Sequence, residues 1–245
     1  MATWLHTLRE DPHRCPYLPD EQASLEIRLA VDVTSPEFGD MLARGWRRFG
    51  PSYFRPACTA CSACVPTRIR VEAFHASKSQ KRARQQSSGL MRLTGLPIVD
   101  DERLELYARW HRNREAHRGW DAMPITADEY TLEFAFPHPS VREVTFRDPR
   151  QANRLVGVGI VDEVPNALSA VYFFWDPDHA PPSLGTAHVV RLVDDAQARG
   201  LEHVYLGYRV DGCPSLAYKS RFGPQEALEG WPEVDEPPIW RETGE

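Results

Sequence analysis

The chain has 245 residues, of which 42% are hydrophobic and 26% charged, and its formal net charge is −6. This composition is typical of a globular protein with one large domain or two ordinary ones, and it argues mildly against a dedicated nucleic-acid-binding domain, which is usually basic overall. No apolar run reaches the ~20 residues of a membrane-spanning helix, and the N-terminus lacks the features of a secretory signal. The sequence therefore predicts a cytoplasmic protein with no membrane partner.

Residues 1–90 are predicted to form a small α+β domain that is rich in cysteine. The segment 25–31, LEIRLAV, alternates apolar with polar or small side chains, which predicts a half-buried strand. A helix is expected to follow, with Ser35 as its N-cap. The segment 68–74, RIRVEAF, alternates in the same way and predicts another strand.

The segment 77–86, SKSQKRARQQ, predicts a basic helix. Ser77 and Gln80 have the three-residue spacing of a capping box, which marks a helix N-terminus. The positive charges of this segment are Lys78, Lys81, Arg82 and Arg84. From charge alone, a solvated helix surface explains them slightly better than a nucleic-acid-binding surface does.

Residues 91–245 are predicted to form the second domain. Residues 101–117 have apolar side chains at helical spacing, and the runs 155–161 and 169–175 predict two antiparallel strands joined by a short connection. A helix opened by the segment SLGT and a strand over 204–208 follow. This order of elements resembles the core of GNAT-type acyltransferases, in which a helix N-terminus can hold an anionic part of the acyl donor.

The SLGT segment is a weak signal for a donor-binding loop. It contains one glycine, Gly185, and lacks the arginine and second glycine of a full coenzyme A loop. An ordinary helix start capped by Ser183 is the preferred explanation when the segment is taken alone. The predicted fold class is α/β (α+β), with a GNAT-like C-terminal acyltransferase domain and a smaller cysteine-rich α+β N-terminal domain.

Three of the five cysteines, Cys58, Cys61 and Cys64, lie in the loop RPACTACSACVP. Cys15 would supply a fourth thiolate, the number that closes a tetrahedral zinc site or holds an iron–sulfur cluster. Clustered cysteines in a reducing compartment are more often metal ligands or catalytic thiols than structural disulfides. Three alternatives stay open: a bound metal, free thiols in a buried turn, and a reversible disulfide within the loop.

In combination, several segments resemble the aminoacyl-tRNA–protein transferases, the arginyl and leucyl transferases of the N-degron pathway. They are, in chain order, CPYLPDEQA, RGWRRFGPSYFRPACTACSACVPTRIRV, SKSQKR, LSAVYFFWDPDHAPPSLGT and VYLGYRVDGCPSLAYKSRFGP. The resemblance covers residues 15–231 and is greatest to the short bacterial form. The chain departs from the family where Ser-Leu-Ala-Tyr-Lys stands at 215–219 in place of Lys-Met-x-Tyr-Lys, and where Gln85 and Gln86 follow the basic segment.

The resemblance implies an enzyme that moves leucine from leucyl-tRNA to the N-terminal amine of a protein beginning with Asp or Glu, which marks that protein for degradation. Arginine is the alternative donor group. An N-acetyltransferase that uses acetyl-CoA and a non-enzymatic RNA-binding module with a metal knuckle are the competing hypotheses. Because the aminoacyl ester is already activated, the transfer requires positioning, a proton acceptor and oxyanion stabilisation, but no cofactor and no nucleophilic side chain.

The resemblance also suggests roles for individual residues. The candidates for catalysis are Tyr218, Lys219 and Asp176. The candidates for binding the acceptor carboxylate, which needs a cation, are Arg55, Arg68 and Lys219. The predicted contacts of the donor tRNA are Lys78, Lys81, Arg82, Arg84, Ser183, Gly185 and Thr186. The candidate ligands of a structural zinc ion or iron–sulfur cluster are Cys15, Cys58, Cys61 and Cys64. For Arg68, a surface ion pair is at least as good an explanation.

Overall fold

The computed structural model describes residues 2–118 and 124–243. Its strands are β1 (Thr3–Arg9), β2 (His13–Arg14), β3 (Gln22–Ala23), β4 (Leu25–Val31), β5 (Arg47–Phe49), β6 (Ser52–Pro56), β7 (Val65–Arg70), β8 (Met91–Gly95), β9 (Val141–Asp148), β10 (Arg154–Val164), β11 (Ala167–Trp175), β12 (His203–Arg209), β13 (Gln225–Leu228) and β14 (Trp240–Thr243). Its α-helices are α1 (Ser35–Ala43), α2 (Lys78–Gln86), α3 (Asp101–Arg118), α4 (Ala127–Tyr130), α5 (Leu184–Ala198) and α6 (Pro214–Ala217). A π-helical turn spans Thr131–Ala135, and 3-10 turns span Pro149–Gln151 and Tyr218–Arg221.

Most strands belong to one eight-stranded sheet in the order β14-β13-β7-β12-β11-β10-β9-β8. Neighbours in this sheet are antiparallel except β11 and β12, which are parallel. A four-stranded sheet, β1-β4-β6-β5, and the β2-β3 pair complete the strands. The mixed α/β class is confirmed, as is the predicted succession of antiparallel strands, helix and further strand in the second half of the chain.

Strand β7 connects the two halves of the chain. It comes from the predicted first domain, yet it is hydrogen-bonded to β12 on one side and to β13 on the other. Ile69, near its end, is fully buried in the core of the large sheet. The predicted boundary at residue 90 therefore does not separate the two sheets, because the sheet of the second half includes a strand from the first.

Local sequence signals account for several element boundaries. Strand β4 has the predicted limits, and α2 begins with the predicted reciprocal hydrogen bonds between Ser77 and Gln80. The predicted N-cap of α1 was wrong by one residue. Thr34 is the cap, because it and Glu37 form a capping box of their own.

The large sheet carries helices on both faces. Helices α2 and α5 pack on one face, and α3 and α4 pack on the other. Gly159 in β10 lies beneath α5, where an added Cβ atom would come within 2.5 Å of His188 Cε1. The glycine thus allows the helix to approach the sheet closely.

We expect Gly159→Ala to destabilise the fold by about 1–3 kcal/mol, because a buried ring and its helix would have to shift to admit the methyl group. Urea-induced unfolding measures this change in free energy. Gly95→Ala is the matched control, since a Cβ atom at Gly95 would have no neighbour within 4 Å. Equal effects of the two substitutions would contradict the close packing of α5 on β10.

Candidate active site

The parallel strands β11 and β12 diverge and leave a wedge in the centre of the large sheet. They pair only where residues 167–169 face residues 203–205, near the start of each strand. Each strand then carries one extra residue, Val171 in β11 and Leu206 in β12, at the point where the two separate. Such bulges bend strands and are frequent beside active sites. The carboxyl-terminal halves of the two strands therefore line a candidate site.

The N-terminus of α5 lies on the β11 side of this wedge. Gly185 lies in its first turn. A Cβ atom added at Gly185 would lie 3.7 Å from the rings of Phe173 and Trp175. Ser183 precedes the helix with a φ of 60° and makes no side-chain cap, while Thr186 is half-buried. The backbone N–H groups of this first turn are thus suited to an anion.

Lys219 lies on the β12 side of the wedge. It is half-buried, and its Nζ donates a hydrogen bond to the carbonyl oxygen of Tyr208 at 2.8 Å. Burial, reinforced by the charge of Arg47, lowers the pKa of Lys219 to about 7, whereas Cys213 and Cys64 act in the opposite direction. A lysine with a pKa near neutrality can take up and release a proton during a reaction.

The other two candidates for catalysis differ in accessibility. Tyr218 is 39% exposed and can meet a substrate. The fully buried Asp176 pairs with Arg109 and Arg154 at 3.3 and 3.1 Å, and it accepts backbone N–H bonds from Asp178 and His179. Burial would raise its pKa, but the hydrogen bonds from His179 and Asp178 outweigh burial and keep the pKa low. These bonds hold the turn after β11, and a catalytic role for Asp176 stays a prediction.

The two arginines predicted to bind the acceptor carboxylate are already paired within the chain. Arg55 is buried and contacts Glu26 and Glu233. Arg68 forms an ion pair with Glu226 at 2.7 Å, which is the alternative explanation given for it from the sequence. Their role in binding the acceptor stays a prediction, and it would require a substrate carboxylate to compete with these partners.

The basic helix α2 presents most of its charges to solvent. Lys78, Lys81 and Arg82 are exposed, whereas Arg84 makes an ion pair with Asp194 of α5 at 3.0 Å. Three of the four tRNA contacts predicted in α2 are thus accessible to a phosphate backbone. The fourth fixes α2 against α5.

The four candidate metal ligands surround one small cavity of about 110 Å³, which Tyr17 and Tyr208 also line. Cys15, Cys58, Cys61 and Cys64 are all free thiols in this structure. Burial, reinforced by the other three sulfurs, raises the pKa of the Cys64 thiol to about 12. The loop and Cys15 therefore come together as the sequence predicted.

The sulfurs are not at the spacing of a zinc site. Within residues 2–118 and 124–243, the only three His, Cys, Asp or Glu side chains with ligand atoms within 4.8 Å of one another are Asp176, Asp178 and His179. Ligand sulfurs of tetrahedral zinc, at about 2.3 Å from the ion, lie closer together than that limit. The cysteines fit a metal by number and shared location but not by distance, so the metal site stays a prediction.

The wedge between the diverging strands thus has a helix N-terminus on one side and a lysine of lowered pKa on the other. The chain belongs to the arginine-tRNA–protein transferase family. The family's N-terminal model matches residues 13–82, and its C-terminal model matches residues 102–229. The family suggested by the sequence is thereby confirmed.

Curated relatives match over almost their whole length. An aspartate/glutamate leucyltransferase from Helicobacter hepaticus is 33% identical over 227 residues, which are 92% of this chain and 93% of the relative. One from Pseudomonas fluorescens is 36% identical over 89% and 91% of the two chains, and one from Aeromonas salmonicida is 36% identical over 92% and 94%. Among solved structures, FemX aligns over 83% of this chain and 79% of its own, with 7% identity and a TM-score of 0.44.

Sequence reasoning missed Arg47 and Gly207, which flank Lys219. Arg47 lies within the segment RGWRRFG, where nothing distinguishes it from Arg48. Gly207 lies inside a buried apolar strand, and an isolated glycine there is a recognisable sign of a bulge or a close approach. No helix in the described part of the chain has both the length and the apolar character needed to cross a membrane.

We expect the triple variant Lys78→Gln, Lys81→Gln and Arg82→Gln to bind tRNA more weakly, with a shallower salt dependence. Each lost phosphate contact lowers the slope of log affinity against log salt by roughly 0.7–0.9. Filter binding between about 50 and 200 mM salt measures both quantities. Arg241→Gln, at an exposed arginine of β14, is the control. An unchanged slope in the triple variant would remove α2 from the tRNA interface.

Proposed function

We propose that the protein transfers leucine from leucyl-tRNA to the N-terminal amine of proteins that begin with Asp or Glu. The observation that carries this proposal is the match to relatives of that name at 33–36% identity over about nine-tenths of both chains. The description of the matching family model supports arginine as a second candidate for the transferred residue. The wedge and the surfaces that bind tRNA would select between leucyl-tRNA and arginyl-tRNA.

The reaction needs one bond exchange and one proton transfer. The amine nitrogen of the acceptor attacks the ester carbonyl of the aminoacyl-tRNA, a C–N bond forms, and the C–O bond to the ribose breaks. A proton leaves the attacking amine and one is delivered to the ribose oxygen. Holding the two substrates in place can supply roughly 7–11 kcal/mol of the barrier in favourable cases.

Lys219 is the side chain we assign to the proton transfer. Its pKa of about 7 leaves a large neutral fraction at physiological pH, and the neutral amine can accept the proton of the acceptor. The exposed Tyr218 next to it can donate to the developing oxyanion or to the leaving ribose oxygen. Both residues belong to the Tyr-Lys pair that the chain retains from the family pattern.

The donor would enter from the other side of the wedge. The first turn of α5, with Ser183, Gly185 and Thr186, would hold the 3′ end of the tRNA through its backbone N–H groups. The exposed charges of α2 would contact the tRNA phosphates. Charged tRNA is a cytoplasmic substrate, which supports that compartment, and the product would enter N-degron degradation.

The experiment that tests the function supplies the full chain with labelled leucyl-tRNA or arginyl-tRNA and with peptides beginning with Asp, Glu or Ala. Leucine transfer to the Asp and Glu peptides, but not to the Ala peptide, supports the proposal. Arginine transfer would keep the family and replace the donor. Transfer of neither label under anaerobic, metal-replete conditions would reject the function and direct attention to acetyl-CoA as the donor.

We expect Lys219→Arg to lower kcat/KM by about 10²–10⁴-fold, because arginine stays protonated and cannot serve as a base. In the native protein, kcat/KM should rise with pH through about 7, as Lys219 becomes neutral. This step should vanish in Lys219→Arg, while the titration of the acceptor amine itself persists. Ser220→Ala, at an exposed neighbour, is the control. If kcat/KM of Lys219→Arg still rises with pH through about 7, Lys219 is not the base.

A further inference from the structure

Arg47 is a buried arginine that uses only part of its hydrogen-bonding capacity. It is 8% exposed, and its Nη1 donates to the carbonyl oxygens of Trp46 at 2.6 Å and Leu42 at 3.5 Å. Its Nε and Nη2 are buried and have no hydrogen-bond partner within the described residues. Buried polar groups are nearly always paired, so two unpaired donors on one side chain require an explanation.

The two unpaired donors form one recognition edge. The Nε–H and Nη2–H bonds of a guanidinium point in the same direction and match the two oxygens of a carboxylate. Arg103 shows this edge filled, with Nε and Nη2 at 2.8 and 2.6 Å from the two carboxylate oxygens of Glu143. Among the arginines that the structure describes, Arg47 is the one whose Nε and Nη2 are both buried and unpartnered.

Gly207 leaves room beside this edge. A Cβ atom at Gly207 would lie 3.8 Å from Arg47 Nε and 3.5 Å from Lys219 Nζ, and no other atom of the described chain outside residues 206–208 would lie within 4 Å. The φ of Gly207 is 78°, in the left-handed region that favours glycine, and the residue is partly exposed. The space above Gly207 therefore adjoins both Arg47 Nε and Lys219 Nζ.

The charges at this position are unbalanced. Within the described residues, Arg47 and Lys219 make no ion pair with a carboxylate. The acidic residue that acts on Arg47 from a distance, Asp162, is paired with Arg48. Tyr205 and Tyr208 flank the guanidinium at 5.5 and 5.4 Å and help to hold it in place. An arginine cation without a counter-charge, beside a lysine that is partly protonated at neutral pH, is suited to one anionic ligand.

We propose that Arg47 binds the side-chain carboxylate of the acceptor's N-terminal Asp or Glu, in a bidentate contact through Nε and Nη2. The inference rests on the proposed leucine transfer, because that function defines the acceptor. The contact places the α-amine of the acceptor beside Lys219. It also makes Arg47, and not the already paired Arg55 and Arg68, the residue that determines acceptor specificity.

The test measures binding and does not depend on turnover. The full chain is titrated calorimetrically with two peptides that differ only in having Asp or Asn at the N-terminus. The Asn amide offers the recognition edge one acceptor oxygen, whereas the Asp carboxylate offers two. The native protein should prefer the Asp peptide by at least about tenfold. Arg47→Gln should abolish the preference for Asp. Arg47→Lys, which keeps the charge but lacks the recognition edge, should lose most of it.

The control is Arg28→Lys, because Arg28 is a half-buried arginine whose Nε and Nη2 both contact Glu26 Oε1. This variant should keep the native preference. Equal weakening of both peptides in the Arg47 variants would indicate a structural role and overturn the proposal, as would a retained preference or its absence from the native protein. If the Arg47 variants do not fold, the Asp peptide, but not the Asn peptide, must shift one Nε–H resonance of ¹⁵N-arginine-labelled native protein. A spectrum without this shift also overturns the proposal.

Leucine transfer is measured in parallel, so that the two proposals fail separately. A native protein that binds the Asp peptide through Arg47 but transfers no leucine would reject the function and retain the binding site. If the native protein transfers leucine to the Asp peptide and the Arg47 variants keep the native preference for Asp over Asn, the function is retained and this site is rejected.

Discussion

The pairing of β7 with β12 is the interaction on which the rest of this molecule depends. It inserts a strand from the first half of the chain into the sheet of the second half, beside the strand that forms one edge of the wedge. The cysteine loop connects β6 to β7, so the pairing holds the loop against Tyr208. It also brings the small sheet close enough for Arg47 to reach Gly207. The candidate site therefore exists only when both halves are folded together.

The electrostatics of the site follow from this arrangement. Arg47 and Lys219 come from segments far apart in sequence, and their proximity contributes to the lowered pKa of the lysine. A carboxylate bound at Arg47 would offset this repulsion and raise the pKa of Lys219. The protonation state of the lysine is thus linked to the occupancy of Arg47.

Much of the fold was predictable because it depends on local pattern. The alternation in β4, the apolar runs of β10 and β11, and the capping box of α2 each determine an element from a few adjacent residues. The limits of β7 were less accurate. The structure has Val65–Arg70, whereas alternation predicted 68–74, because pairing with β12 decides which residues join the sheet. The start of α5 was also predicted from local pattern.

The sequence by itself determined the family, the order of the elements and the residue types available for chemistry, because each depends on short motifs. The tertiary structure alone decided which of those residues are free to bind a substrate. Arg55 and Arg68 are paired with Glu233 and Glu226, more than 150 residues away. Arg47 Nε and Nη2 have no hydrogen-bond partner among the described residues. Ion pairing is a property of neighbours in space, and a linear pattern of charges does not contain that information.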